Sequence, residues 1–80
     1  MKTIKEFMDW CNTNPNIKIY QLPVAEWEIV DNWRWAIGAN TGNEVESFVT
    51  PGTIMMWLNA SVKLLGTELL DDIQQTYDEQ

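Results

Sequence analysis

Eighty residues carry twelve acidic and five basic side chains, a formal charge of −7, with no histidine and one cysteine. That balance argues against direct binding to nucleic acid or an anionic membrane, because phosphate contact relies on Lys and Arg. The missing imidazole removes the commonest general base and the commonest metal ligand together.

A chain this short has room for one domain, residues 1–80, around one core. Hydrophobic residues make up 45% of it, five of them Trp. Each buried aromatic takes roughly 150–250 Å² out of water, so the core can form without disulfide or metal support.

In chain order, Thr3-Ile4-Lys5-Glu6 fits the capping box that opens a helix. Ile4, Phe7, Met8 and Cys11 follow at the spacing of one buried helical face, and Asn12, Asn14 and Pro15 end it. From Ile17 to Val49 the period changes to two. Ile17–Leu22 reads as a strand closed by Pro23. Ala25, Trp27 and Ile29 alternate with Glu26, Glu28 and Val30 in a second strand. Trp33, Trp35 and Ile37 alternate with Arg34, Ala36 and Gly38 in a third. Asp31-Asn32 is a candidate turn between them. Asn40-Thr41-Gly42-Asn43 is a clearer one, leading to a short fourth strand from about Glu44 to Val49. Strands joined by short turns imply an antiparallel meander.

Thr50-Pro51 supplies an N-cap and a proline at the first helical position, predicting a helix to about Leu65 with Gly66 as its C-terminal cap. Thr67 can cap a last helix with Leu69, Leu70, Ile73 and Tyr77 on one side. Glu68, Asp71 and Asp72 lie in its first turn, where the helix dipole favours negative charge. One helix bent at Gly66 is the rival reading. The expected fold is α+β, in the order α-β-β-β-β-α-α. Helices would cover one face of a small antiparallel sheet of three to four strands.

Little in the chain supports conventional catalysis. Cys11 lies on the apolar stripe of the first helix, with no basic neighbour expected to activate it. Zinc would need a Cys/His set that does not exist, and the four glycines are isolated, so no phosphate-binding loop can be assembled. Asn40–Glu44 has oxygen ligands around a glycine but lacks the calcium-loop pattern and reads as a hairpin turn. Paired carboxylates can hydrolyse glycosides, yet they need a concave site that a domain this small can scarcely spare. No catalytic residue, metal or cofactor is therefore expected. No apolar run approaches the ~20 residues of a membrane span, and the segment after Met1-Lys2 is amphipathic rather than a secretory leader. With one unpaired cysteine, the expected compartment is the cytoplasm, a host's if the chain is phage-encoded.

Function is then expected at the surface. The Thr50–Leu65 helix is apolar over more than half its circumference, leaving Met56, Met55 or Trp57 as contacts if its neighbours do not cover it. Of the sheet tryptophans, Trp35 is the better candidate for the core and Trp33 for a partner. Glu68, Asp71, Asp72, Gln75 and Glu79 form a polar stripe on the last helix. Glu26 and Glu28 line one strand and Glu44 and Glu46 another. A solvated surface is the plain explanation of these charges. The sharper one is an array that resembles a nucleic-acid backbone and occupies a basic groove. The leading expectation is a non-enzymatic inhibitor that blocks a basic surface of a host protein, such as that of a nucleic-acid-binding complex. Its candidate contacts are Glu26, Glu28, Trp33, Glu44, Glu46, Met56, Glu68, Asp71, Asp72 and Glu79. Small acidic proteins of this type are common among phage and mobile-element products that disable host defence, anti-CRISPR proteins included. The alternative is an assembly protein that forms a homodimer through its apolar helix or a sheet edge.

Overall fold

Capping and apolar spacing give the first helix, α1, the bounds Ile4–Thr13 in the computed structural model, which describes residues 1–45 and 50–80. Thr3 Oγ1 accepts from Glu6 N–H at 3.1 Å, as the capping box requires. The Glu6 carboxylate accepts instead from the N–H of Lys2, at 2.9 Å. Ile4, Phe7 and Cys11 are the buried side of this helix. Asn14 closes it, with both backbone and side-chain N–H donated to the Trp10 carbonyl.

The expected sheet is not there. Among the described residues there is no strand, and the fold is helical rather than α+β. The first expected strand, Ile17–Leu22, contains a 3-10 turn at Ile19–Gln21, with Ile19 buried and Tyr20 exposed. The second and third are one helix, α2, running Val24–Thr41. The fourth, Glu44–Val49, falls largely outside the described residues. Neither turn reading survives. Asp31 and Asn32 are interior to α2, and Asn40–Asn43 is the end of that helix, where the Gly42 N–H donates to the Gly38 carbonyl at 2.9 Å.

The physical reason is in the spacing. Ile29, Trp33 and Ile37 recur every four residues, and with Val30 and Ala36 they make one helical stripe, of which all but Ile29 are fully buried. At ~100° per residue, positions two apart point to nearly opposite sides of a helix. The intervening odd positions, Trp27, Asp31 and Trp35, therefore face outward. In a strand the same odd positions would share one face, which is why the alternation looked like a sheet. No proline or glycine interrupts Val24–Ile37, so nothing opposes the longer helix.

Two further helices complete the fold: α3, Pro51–Leu65, and α4, Glu68–Asp78. Thr50 caps α3, its Oγ1 accepting from Thr53 N–H at 3.2 Å. Gly66, at φ +94° in a region L side chains rarely adopt, separates α3 from α4, so they are two helices rather than one bent one. Thr67 precedes α4 without a side-chain capping bond.

Helix α2 lies chiefly against α4 and α1 against α3, with one core between them. At its centre Trp33 stacks on Tyr77 of α4, rings 3.8 Å apart and 5° from parallel. On another side it stacks on Phe7 of α1 at 5.4 Å. Trp33 has no exposed surface, which reverses the expectation that Trp35 would be the core residue and Trp33 the partner contact. Trp35 is 51% exposed. Polar pins join the same elements. The Gln74 side chain accepts from Ile4 N–H at 2.7 Å and donates to the Lys2 carbonyl at 3.0 Å. Tyr77 OH donates to the Met1 carbonyl, and Asn40 donates to Thr76 Oγ1 at 2.8 Å.

Trp33→Ala is expected to cost about 3–5 kcal/mol of stability, whereas Trp35→Ala should stay within about 0.5 kcal/mol of wild type. Urea unfolding followed by circular dichroism measures both. Equal losses at the two positions would contradict this packing.

Candidate functional site

Chemistry inside the molecule is sparse. Cys11 is fully buried, and burial pushes its thiol up to about 12 from 9.0. It is therefore held as the unreactive thiol rather than the nucleophilic thiolate. Among the described residues no group of three or more His, Cys, Asp or Glu is placed to hold a metal. A groove of about 270 Å³ lies between the end of α2 and the outer side of α3, lined by Thr41, Asn43, Trp57, Ala60, Ser61, Leu64 and Leu65. No titratable side chain is among them. Thr41 already donates its hydroxyl to the Ile37 carbonyl at 2.8 Å. This lining can hold an apolar group and has nothing with which to move a proton.

The surface is richer. On α4, Glu68, Asp71, Asp72, Gln75, Asp78 and Glu79 are all exposed. They fall on one outward arc, opposite buried Leu69 and Ile73. Gln75 donates to Glu79 at 3.3 Å and Gln74 to Asp78 at 3.0 Å. These amides orient two of the carboxylates without neutralising them. Among the described residues one ion pair occurs, and it lies on α2, where Arg34 Nη1 is 3.5 Å from Asp31 Oδ1.

Helix α2 distributes its acids differently from the strand reading. Glu26 and Glu28, expected on one face, are about 200° apart around the helix. Both are exposed, but Glu28 shares the outward face with Asp31, and Glu26 does not. Arg34 extends along the helix side, donates Nη2 to the Val45 carbonyl at 2.8 Å and is only 13% exposed. Gly38 allows this close passage, since a Cβ there would come within 2.6 Å of Val45 Cγ2. Together they hold Val45 against that helix.

Of the remaining expected contacts, Glu44 is exposed after α2, and Glu46 lies outside the described residues. Met56 is 63% exposed on the outer side of α3, while Met55 is buried. Trp33 is interior and cannot touch a partner in this fold. Sequence reasoning missed the outward tryptophans of α2. Trp35 and Trp27 keep 51% and 37% of their surface in solvent, and Val24 beside them keeps 73%. It also missed Leu64 of α3, which is 83% exposed. The signal was available in the i, i+3, i+4, i+7 spacing of Val24, Trp27, Glu28 and Asp31, legible only once α2 is read as a helix.

No family model, curated protein or solved structure matches the chain. No helix among the described residues is long and apolar enough to cross a membrane.

Because burial raises the Cys11 thiol, the stability that this burial confers is complete below about pH 9 and is lost as the pH rises toward about 12. At pH 8 a thiol reagent should modify the folded chain no faster than it unfolds. Rapid stoichiometric labelling of native protein would show an accessible thiolate instead.

Proposed function

We propose that this chain is a non-enzymatic binding protein that occupies a basic, nucleic-acid-binding surface of another protein and blocks it by occupancy. The observation that carries this reading is the outward arc of α4. Glu68, Asp71, Asp72, Asp78 and Glu79 are exposed there, and among the described residues none is in an ion pair. From Glu68 to Glu79 the helix rises roughly 16 Å at ~1.5 Å per residue, so its five carboxylates stand about 4 Å apart on average along the axis. A single DNA strand carries one per ~3.4 Å. The likeness is one of linear charge density on a rigid rod, and it suits a groove built to follow a phosphate backbone. Capture of a basic partner would be steered by the net charge of −7. The lasting contacts would fall to exposed apolar side chains. An anti-defence inhibitor encoded by a phage or mobile element is the setting in which we place it.

A second reading has its own support. Met56 and Leu64 are 63% and 83% exposed and lie about 80° apart around α3 at ~100° per residue, a stripe that a second copy could cover. The sheet-edge form of that assembly is withdrawn, since the described residues hold no strand.

Immobilised chain should retain a partner from host lysate that elutes on a salt gradient. Free chain should then displace nucleic acid from that partner. Combined Glu68→Lys, Asp71→Lys and Asp72→Lys substitution should weaken displacement about 3- to 150-fold, at roughly 0.2–1 kcal/mol per exposed contact. Unchanged displacement would end the proposal for α4. A salt-insensitive dimer by light scattering, dissolved by Leu64→Glu, would favour assembly instead.

A further inference from the structure

One side of α2 is accounted for by the core; the other carries a second stripe. Val24, Trp27, Glu28, Asp31 and Trp35 recur at i, i+3, i+4, i+7 and i+11, an arc about 100° wide at ~100° per residue. This is the spacing with which a helix meets a partner, and Val24, Trp27 and Trp35 hold 73%, 37% and 51% of their surface in water. Two indole rings two turns apart, with carboxylates between them, form a surface that is both aromatic and anionic.

The geometry points to this face as the seat of a basic protein segment, whose arginine side chains lie on the Trp27 and Trp35 rings and pair with Glu28 and Asp31. The inference rests on the reading of the chain as a binder of basic proteins, and it names a site that α4 does not supply.

Charge decides between occupants. Arg34 is the one cation in α2, and it is turned inward, 13% exposed, with Nη2 committed to the Val45 carbonyl and Nη1 at 3.5 Å from Asp31 Oδ1. Glu28 is therefore the stronger of the two anchors, and Asp31 would share its carboxylate between Arg34 and the incoming arginine. The four lysines, Lys2, Lys5, Lys18 and Lys63, all lie outside the helix. A second copy docked helix to helix would set Glu28 and Asp31 against like charges with no outward cation on either α2 to relieve them, which disfavours that pairing. Nucleic acid and anionic lipid meet the same repulsion. A basic segment meets none, and a cation over an indole face is attracted by the ring quadrupole. Arginine fits better than lysine because its planar guanidinium stacks on the ring while its edge N–H groups reach a carboxylate.

The test titrates ¹⁵N-labelled full-length chain with a nona-arginine peptide and, separately, a nona-lysine peptide. The indole N–H signals of Trp27 and Trp35 should move while that of Trp33 stays. The arginine peptide should bind more tightly than the lysine peptide at equal charge. Trp27→Ala and Trp35→Ala should each weaken arginine binding about two- to fivefold, and Trp35→Phe should recover part of the loss. Reversing Glu68, Asp71 and Asp72 to lysine should weaken both peptides alike and leave the arginine preference intact. If the peptides bind equally and perturb α4 alone, the α2 seat is overturned while the acidic-binder reading stands. If neither peptide binds at low ionic strength, both are overturned. Concentration-dependent dimerisation abolished by Trp35→Lys would overturn the seat in favour of a second copy, and movement of the same indole signals on zwitterionic vesicles would do so in favour of a lipid surface.

Discussion

Trp33 is the contact on which the rest of the structure depends. Its indole lies against Tyr77 and Phe7, so one side chain of α2 fixes the distance to both α4 and α1. Burying an indole of roughly 150–250 Å² at ~25 cal/mol per Å² stabilises the fold by about 4–6 kcal/mol. Against this stands its Nε1–H, buried without a hydrogen-bond partner among the described residues, a loss of about 1–3 kcal/mol. Packing wins, because the area buried by the ring outweighs that loss. Tyr77 differs: it stacks through its ring while its hydroxyl holds the Met1 carbonyl, so the same stack ties the N-terminus to α4.

With Trp33 inside, the rest of α2 follows. Placing that ring at the centre brings Val30, Ala36 and Ile37 into the core and turns Val24, Trp27 and Trp35 to solvent, because a helix rotates ~100° per residue. Arg34 then lies along the flank, where it holds the Val45 carbonyl. Core and surface on this helix are two consequences of one rotation, so a change that shifted Trp33 would also move the aromatic face.

How much could be read in advance differs from helix to helix. Helices α1 and α3 each combine a start signal, an apolar side and a stop, and their bounds agree with those expected to within a residue or two, while α4 carries a start signal and an apolar stripe. Thr3 and Asn14 delimit α1, Thr50 and Gly66 delimit α3, and α4 begins after Thr67. The acidic arc of α4 was legible for the same reason, since charges can be placed on a face once the period is known. Helix α2 was not, because apolar residues occupy two opposite sides of it and cancel the single-sided period that marks an amphipathic helix. Reading Glu26 and Glu28 as one face, and choosing Trp35 over Trp33 for the core, both follow from that mistaken period. The proline at position 23, which opens α2, fits the end of a strand as readily as the start of a helix.

Once the core is packed, the surface left over carries carboxylates on α4 and indoles and carboxylates on α2. That division depends on the orientation of α2, and hydrogen exchange of the indole N–H groups measures it directly. The account predicts a slowly exchanging Trp33 indole and rapidly exchanging Trp35 and Trp27 indoles in the native chain. Comparable protection at Trp33 and Trp35, as neighbours on one face of a sheet would show, would contradict it.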